Sequence, residues 1–460
     1  MNSFDVFDTL IARRFSTSQS IWEQMARESG IHNFSIERQR QADAGWTLQI
    51  IYDALVAANV IPEKSKNELM EREVELEIEN CIPIKENIEK INHGDILISD
   101  THLSADVILR MLRFAGLDKQ VTIHQSNRDK ATGFIWDKLK NIKPNLHTGD
   151  NIHSDLNMPL QFGINAELFS KSEFSPKESY LVNFGLPSLA FLCREIRLKS
   201  NVPDELKEYF NLSNSSNLPL LFTIIELIRR TFGEIKIVFL GRDCQLLWKI
   251  YSQFYNAHCS YVPFSRIVAY DNPNGAISYL KRHCGNHSLI VDISSTGKTW
   301  KHLSSHHDYS FNVLSIIFSD IDNKIALPPN FHFITKNSVC GQTNITLELM
   351  NCADHGYLSE VKTMDDIMEF STFADNELPD NLIDVIHQPV HDAIKLKNYY
   401  GQKIKSDFLL LDNEKLSYLF NLLTQDICSN YHLCQNISGY IGAGSIYDNL
   451  IFEKRKNYDS

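Results

Sequence analysis

The sequence predicts an α/β fold with two successive α/β units, a helical insertion in the first unit and a mainly helical C-terminal region. Two observations support this prediction. Short apolar segments alternate with helical patterns between residues 95 and 170 and again between residues 235 and 318, which is typical of parallel sheets flanked by helices. The chain has 460 residues, which is more than one ordinary hydrophobic core organises. We therefore expect at least two domains.

The first unit is expected to begin with a short strand that ends at Asp5. After Leu10 the pattern becomes helical, so that residues 15–90 form a helical insertion between the first two strands of the sheet. Within the insertion, Ser20 and Glu23 have the spacing of an N-terminal capping box. The remaining expected elements are strands at 96–98, 121–123, 146–148 and 166–169 and helices at 104–115 and 134–141.

The polar segment 211–217 lacks periodicity and is the expected boundary before the second unit. The strands expected beyond it lie at 235–240, 261–264, 288–292 and 313–318. The expected domains are a first core at 1–14 and 91–170, a helical insertion at 15–90, a helical linker region at 171–217, a second α/β domain at 218–330 and a mainly helical region at 331–460.

Composition excludes several classes of protein. Hydrophobic residues make up 43% of the chain and charged residues 22%, which indicates a globular protein. The net charge of -12 and the absence of a Lys/Arg block argue against a dedicated nucleic-acid surface. Nine scattered cysteines without a C-x-x-C pair fit a reducing compartment. No apolar run reaches the roughly 18 residues of a membrane span, and a strand starting beside Met1 leaves no room for a signal peptide. We therefore expect a cytoplasmic protein.

Polar residues follow successive strands of the first unit. Asp5 and Ser99 end its first two strands, Lys130 follows the third, and Asp150 and Asp155 follow the fourth. In open parallel sheets, ligands bind at the carboxyl ends of the strands, where these loops meet. Mg²⁺ prefers a few carboxylates together with water and phosphate oxygens. Asp5 and Asp150 therefore predict a magnesium site.

The order Asp5, Ser99, Lys130 and Asp150/Asp155 resembles the four motifs of the haloacid dehalogenase-like (HAD) superfamily of hydrolases, over residues 1 to about 170. The resemblance implies a Rossmann-like core with the helical insertion as its cap. It also implies that Asp5 attacks phosphorus to form an aspartyl-phosphate that water then hydrolyses.

The same resemblance assigns the supporting residues. Ser99 and Lys130 are expected to stabilise charge on the transferring oxygens. Asp150 and the backbone carbonyl of Phe7 are expected to help Asp5 hold Mg²⁺. Asp155 is expected to orient the loop or a metal-bound water.

One position departs from the family pattern. Most HAD phosphatases carry a second Asp two residues after the nucleophile, and Phe7 stands there in this chain. Three interpretations follow: activity confined to substrates with good leaving groups such as anhydrides, a proton supplied by His102, or chemistry like that of the metal-independent dehalogenase branch. The pair Gly149-Asp150 favours metal and phosphate over carbon–halogen cleavage.

A second informative stretch runs from Leu289 to Thr299. A Walker A loop would need a glycine where Asp292 stands. A strand ending in an acid, followed by Thr-Gly-Lys-Thr, instead resembles the phosphoribosyl-diphosphate loop of type I phosphoribosyltransferases. The residues expected to bind a phosphoribosyl or phosphate group are Arg242, Asp243, Arg266, Asp292, Ser295, Thr296, Gly297, Lys298 and Thr299.

This second match is partial. The usual acidic pair is reduced to Asp292, with Val291 beside it, and Ser295 replaces an acid often found before the Thr. These losses favour binding over transferase catalysis, and an ordinary strand–turn–helix is the simpler alternative.

The sequence thus predicts a Mg²⁺-dependent HAD-type phosphohydrolase acting on a small phosphorylated metabolite. The C-terminal domain is expected to bind or process phosphoribosyl diphosphate or a nucleotide. The alternative is a non-catalytic nucleotide-sensing module beside a HAD domain of weak or specialised activity. No pattern in the sequence indicates the oligomeric state.

Overall fold

The structure is a computed structural model that describes most of the chain as two compact units. Unit 1 consists of Met1–Ser179 with Arg194–Asn201, and unit 2 of Tyr180–Cys193 with Val202–Ser460. The described residues are 1–15, 17–43, 47–255, 258–285, 287–306, 311–319, 327–337, 342–364, 367–373, 378–435 and 437.

Unit 1 contains a parallel five-stranded sheet, as the sequence predicts. The strands of this unit are β1 (Ser3–Asp5), β2 (Ile11–Arg13), β3 (Cys81–Pro83), β4 (Ile96–Asp100), β5 (Thr122–Ser126), β6 (His147–Gly149) and β7 (Ala166–Leu168). The order in the large sheet is β5-β4-β1-β6-β7, with every neighbouring pair parallel. The order therefore reverses between β1 and β6, and such a point is where open α/β sheets bind ligands.

Helices cover both faces of this sheet. The insertion contains α1 (Gln19–Ser29), α2 (Phe34–Asp43), α3 (Leu48–Ala57) and α4 (Lys66–Glu79), and the core adds α5 (Lys85–Ile88), α6 (Ala105–Phe114), α7 (Asp129–Thr132), α8 (Phe134–Leu139) and α9 (Met158–Gln161). Apolar residues of β1 and β4 pack with α6, whereas Ile96 and Ile98 pack with α8. Successive side chains of β4 point to opposite faces of the sheet, so this strand contributes to two separate cores.

The insertion differs from the predicted uninterrupted helical block. Strands β2 and β3 flank its helices and pair antiparallel. Each has three residues, which is too short to show a strand period. The capping-box prediction is also wrong, because α1 already begins at Gln19 and the Ser20 hydroxyl donates to the carbonyl of Thr17 at 2.7 Å.

Unit 2 is a second α/β unit, as predicted, and its parallel sheet has five strands where the sequence indicated four. Its strands are β8 (Lys236–Leu240), β9 (Cys259–Val262), β10 (Ser288–Ser295), β11 (Asn312–Ser319) and β12 (Phe331–Asn337). The order is β12-β11-β10-β8-β9, with all neighbours parallel. Here the order reverses between β8 and β10.

The C-terminal region is mainly helical, but it also contains β12 and an antiparallel pair formed by β13 (Leu358–Met364) and β14 (Ile367–Phe373). The remaining helices of the chain are α10 (Pro176–Phe184), α11 (Pro187–Lys199), α12 (Lys207–Leu212), α13 (Leu218–Phe232), α14 (Gln245–Tyr255), α15 (Arg266–Asp271), α16 (Pro273–Cys284), α17 (Lys298–Ser304), α18 (Gln342–Met350), α19 (Asp380–Lys395), α20 (Lys397–Leu409), α21 (Asn413–Ser429) and α22 (His432–Gln435). Residues 438–460, which the sequence assigns to this region, lie outside the described residues.

The polar segment 211–217, expected to mark the boundary before the second unit, is helical. Ser213–Asn217 is a π-helical turn that continues α12 into α13. Most of its polar side chains are buried: the Ser213 hydroxyl donates to the Ile386 carbonyl at 2.6 Å, and the Asn217 amide to the Met350 carbonyl at 2.9 Å. Polar composition here reflects buried hydrogen bonds rather than exposure.

Within the ranges given above, no helix combines the length and the apolar character needed to cross a membrane.

Candidate functional site

Asp5 is the last residue of β1, at the carboxyl edge of the sheet in unit 1. Its side chain is almost fully buried. The Thr9 hydroxyl donates to Asp5 Oδ2 at 3.2 Å. Thr9 is brought there by a tight turn, in which the N–H groups of Leu10 and Ile11 both donate to the Val6 carbonyl. The turn therefore fixes one oxygen of the carboxylate.

Lys130 occupies the centre of the site. Its ammonium group forms ion pairs with Asp5 and, at 2.8 Å, with Asp155 Oδ1. Its backbone is held as well: its N–H donates to Asp100 Oδ2 at 3.1 Å, and its carbonyl accepts from the Trp136 ring N–H at 3.1 Å. The structure thus joins three residues predicted to share a site.

Asp155 lies in the π-helical turn Ile152–Asn157, after β6. Beyond Lys130, its Oδ1 contacts His147 Nε2 at 3.3 Å, and its Oδ2 accepts from the Asn151 N–H at 3.1 Å. Gly149 packs against it so closely that an added Cβ would lie 2.4 Å from the Cβ of Asp155. The glycine therefore allows the carboxylate to reach Lys130.

Asp5, Asp150 and Asp155 could hold a metal ion. One ligand atom from each lies within 4.8 Å of the others, and no other group of three or more such residues is found in the described part of the chain. Asp150 is exposed, whereas both oxygens of Asp5 and both oxygens of Asp155 already accept hydrogen bonds. The structure thus brings Asp5 and Asp150, the two carboxylates predicted to bind Mg²⁺, into one cluster with Asp155.

The electrostatics of the three carboxylates differ. Burial, together with the charges of Asp155 and Asp150, raises the pKa of Asp5 to about 8 against the effect of Lys130. Burial and nearby acids raise the pKa of Asp150 to about 6. Burial acts on Asp155 in the same direction, but hydrogen bonds from His147 and Lys130 outweigh it and lower its pKa to about 2. Asp155 is thus ionised at neutral pH, and the other two carboxylates bind protons in competition with a cation.

The remaining predicted residues of this site lie around the same edge. Ser99 is buried near the end of β4, one residue beyond Ile98, which pairs with Asp5. Phe7 is half-buried, with the Arg13 guanidinium 4.4 Å from its ring centroid. His102 Nε2 is directed at Glu73, 3.5 Å away, so the geometry does not favour His102 as the proton donor.

In unit 2, a cavity of about 120 Å³ lies at the carboxyl ends of β8 and β10. The predicted residues that line it are Arg242, Asp243, Arg266, Asp292, Ser295, Thr296 and Thr299. Lys298 is exposed and does not line the cavity. Gly297 also lies outside the lining; it has a φ of +73° and packs against Leu327, which an added Cβ would approach to 2.5 Å. Seven of the nine residues predicted to bind a phosphate or phosphoribosyl group therefore line one cavity.

Both signs of charge meet in this cavity. Burial raises the pKa of Asp292 to about 7, with Glu348 acting in the same direction and Arg266 opposing. Burial and the charges of Asp292 and Glu348 also raise the pKa of Asp243 well above its ordinary value. Glu348 comes from α18 and forms part of the lining. Two guanidinium groups and three carboxyl groups thus surround one small space.

The loop before α17 is ordered by its own side chains. Ser295 Oγ accepts a hydrogen bond from the Gly297 N–H at 3.1 Å. The helix that follows has seven residues, so its dipole contributes little at this point. Any anion binding here depends on the loop and on Arg242 and Arg266.

Several residues of the two sites were not predicted. In unit 1 they are Thr9, Asp100 and His147; in unit 2 they are Trp300, Glu348 and Cys352. Thr9 lies in the Asp5–Leu10 segment that carries the expected nucleophile, whereas the others belong to no recognisable motif. Asp100 is the residue a closer inspection could have identified, because it directly follows Ser99 at a strand end.

Comparison of the chain with protein-family models found no matching family, and comparison with curated proteins found no similar sequence.

Proposed function

We propose that unit 1 is a phosphohydrolase that acts through an aspartyl-phosphate on Asp5 and requires Mg²⁺. The observation that carries the proposal is a buried carboxylate at the sheet's switch point, paired with Lys130 and next to Asp150. A cation site and a positioned ammonium group around one carboxylate suit transfer of a doubly charged phosphoryl group. The resemblance to HAD hydrolases supports the same assignment.

The oxygen donors fit Mg²⁺, which is bound by few carboxylates and keeps several waters. Asp5 and Asp150 would hold it, together with the Phe7 carbonyl. When bound, Mg²⁺ supplies positive charge that offsets the negative charge of the phosphoryl oxygens.

The residues of the chain perform the remaining steps. An oxygen of Asp5 forms a bond to phosphorus while the bond from phosphorus to the leaving oxygen breaks, and the leaving group takes the electron pair. Water then attacks phosphorus, the bond to Asp5 breaks, phosphate leaves and one proton passes to solvent. Lys130 stabilises the charge that develops on the phosphoryl oxygens, and Thr9 holds the second oxygen of Asp5.

Phe7 restricts the choice of substrate. Because Phe7 offers no proton and is covered by the Arg13 guanidinium, the leaving group must depart without a strong acid. We therefore propose a small phosphorylated metabolite with a good leaving group, such as an acyl phosphate.

Purified protein tests this function directly. We expect acyl and aryl phosphates to be hydrolysed with Mg²⁺ and not with chelator, and Asp5→Asn to lose at least about 10³-fold in kcat. Asp106→Asn, an exposed carboxylate on α6, is the matched control and should retain wild-type activity. Equal activity of the Asp5→Asn and wild-type proteins would refute the assignment, and metal-independent turnover of a haloacid would favour dehalogenation.

A second function is favoured by the cavity of unit 2. We propose that it binds a phosphoribosyl or nucleotide ligand, with Arg242 and Arg266 on the phosphate and Asp292 on the ribose hydroxyls. Arg242 and Arg266 provide bidentate donors for phosphate. The missing second acid at Val291 favours a binding or sensing role over transferase catalysis.

Thermal shift measurements test this second function. Phosphoribosyl diphosphate or a nucleotide is expected to raise the Tm of the wild-type protein and to have a smaller effect on Thr296→Ala. Ser305→Ala, just beyond the end of α17, is the control and should respond like wild type. If no ligand changes the Tm of the wild-type protein, the proposal that the cavity binds a phosphoribosyl or nucleotide ligand is wrong.

A further inference from the structure

His147 is an unusual residue for its position. It lies in β6 with no exposed surface, and the ring of Trp136 packs edge-on against it at 4.7 Å between centroids. An apolar side chain would fill this position without the cost of burying an imidazole. Both ring nitrogens are nevertheless within reach of partners. Nδ1 lies 3.0 Å from the Ser3 hydroxyl, and Nε2 lies 3.3 Å from Asp155 Oδ1.

The partners fix the tautomer. An ionised carboxylate only accepts hydrogen bonds, so Nε2 carries the proton that faces Asp155. Burial lowers the pKa of His147, and the neutral ring therefore has an acceptor at Nδ1, to which the Ser3 hydroxyl donates.

One atom links this histidine to the nucleophile. Asp155 Oδ1 is the oxygen that contacts both His147 and Lys130, and Lys130 in turn pairs with Asp5. The other oxygen of Asp155 is held separately, by the Asn151 N–H. Besides Lys130 itself, His147 is thus the side chain that contacts Oδ1.

We propose that His147 is a positioning residue for the phosphoryl transfer proposed above: its Nε2–H fixes Asp155 so that Lys130 remains shared between Asp155 and Asp5. The inference rests on that proposed function. Without the Nε2–H donor, Asp155 can rotate, and Lys130 loses the second carboxylate that holds it above Asp5. Loss of such a supporting hydrogen bond typically costs about 10- to 100-fold in activity.

Three substitutions separate positioning from simple packing. In the full-length protein with Mg²⁺ and an aryl phosphate, His147→Leu should lower kcat about 10- to 100-fold while KM stays nearly constant. His147→Gln places an amide N–H near the former Nε2 and should recover most of that loss. His147→Asn places its amide near the former Nδ1 and should not. A residue that serves only packing would give Gln and Asn variants of equal kcat, and that result would overturn the proposal.

A spectroscopic measurement keeps the inference testable if His147→Leu does not fold. ¹⁵N–¹H spectra of histidine-labelled wild-type protein, assigned with His147→Gln, should show the Nε2–H tautomer for His147. Ser3→Ala removes the donor to Nδ1 and should leave the Nε2–H form in place, because Asp155 still accepts from Nε2. An Nδ1–H tautomer in the wild-type protein would overturn the proposal.

The two proposals fail in different ways. If Asp5→Asn is as active as wild type, the phosphohydrolase assignment itself is wrong. If Asp5→Asn is inactive but His147→Leu retains wild-type kcat, the phosphohydrolase assignment stands and only the role of His147 is wrong.

Discussion

At the scale of single residues, unit 1 places a buried lysine between two buried carboxylates. Lys130 pairs with both Asp5 and Asp155, and burying three such charges is tolerated only because they satisfy one another. Thr9, Asp100 and His147 complete the hydrogen bonds of these three side chains. The arrangement is a buried cluster rather than a surface ion pair, which suits the nucleophile proposed for Asp5.

Substitution of Lys130 tests its proposed role in the transition state. Lys130→Met removes the ammonium group, and we expect kcat with an aryl phosphate to fall by about 10²- to 10³-fold. Lys140→Met is the matched control, because that lysine is half exposed and pairs with Asp137, which is not one of the carboxylates of the site. Unchanged kcat in the Lys130→Met protein would contradict the account.

The pKa values of the carboxylates predict how Mg²⁺ binding depends on pH. The pKa of Asp150 is raised to about 6 and that of Asp5 to about 8, so both carboxyl groups bind protons at low pH. Because Mg²⁺ must displace these protons, its affinity should increase as the pH rises from about 5.5 to 8.5, with proton release on binding. Titration calorimetry in two buffers of different ionisation enthalpy measures both effects. An affinity that falls as the pH rises would refute this metal site.

Sequence reasoning at this scale found the residues that belong to ordered motifs. Asp5, Lys130, Asp150 and Asp155 each follow a strand, and their order along the chain indicated one site. His147 and Glu348 were missed because each is a single polar residue inside an apolar pattern. The role of such a residue can be recognised only from the side chains that it contacts in the folded structure.

At the scale of elements, the loop after β6 depends on one glycine. An added Cβ at Gly149 would lie 2.4 Å from the Cβ of Asp155, so Gly149→Ala should displace Asp155 and lower kcat at least about tenfold. Gly163→Ala is the control: its φ of +71° makes alanine unfavourable and costs stability, but no atom lies within 4 Å of the added methyl group, so kcat should stay near that of the wild type. If both variants keep wild-type kcat, catalysis does not depend on the observed position of Asp155.

The helical insertion has a charged centre of its own. Glu73 is fully buried and forms a bidentate pair with Arg38, at 2.9 and 2.6 Å, while the Tyr52 hydroxyl donates to it at 2.8 Å. Glu73→Gln leaves a buried guanidinium without its counter-charge and should lower the free energy of unfolding by about 3–5 kcal/mol. Glu75→Gln on the same helix breaks an exposed pair with Arg72 and should cost less than about 1 kcal/mol. Urea unfolding measures the difference, and equal stabilities of the two variants would contradict the account.

The same pair predicts a pH dependence. Burial acts to raise the pKa of Glu73, but the charge of Arg38 and hydrogen bonds from His102 and Arg38 outweigh it and hold the pKa well below its ordinary value of 4.5. The stabilisation is therefore fully present above the ordinary pKa and is lost as the pH falls below it. The stability difference between wild type and Glu73→Gln should shrink on acidification, and a difference that grows instead would be inconsistent with an ionised Glu73.

The elements themselves were predicted unevenly. Short apolar segments indicated the strands of the unit 1 sheet and four of the five strands of the unit 2 sheet, because a buried strand needs only a short apolar run; β12 lies in the region expected to be helical. Strands β2 and β3 carry too few residues for any period. The segment 211–217 has the composition of a loop, and only its buried partners explain why it is helical.

At the scale of the whole molecule, both parallel sheets place a candidate site at the point where their strand order reverses. The order is β5-β4-β1-β6-β7 in unit 1 and β12-β11-β10-β8-β9 in unit 2, and in each unit the candidate site lies where the order reverses. The sequence predicted parallel sheets but could not give these orders, since strand order depends on long-range packing rather than on local pattern. Residues that are far apart in the sequence therefore meet at these two points and form the two candidate sites.

If Asp5 accepts a phosphoryl group, a crystal structure with Mg²⁺ and beryllium fluoride should show it. We expect beryllium bonded to a carboxylate oxygen of Asp5, with Lys130 on the fluorides and a metal ion on Asp5 and Asp150. Beryllium fluoride bound elsewhere, with Asp5 still unmodified at saturating concentration, would contradict this assignment.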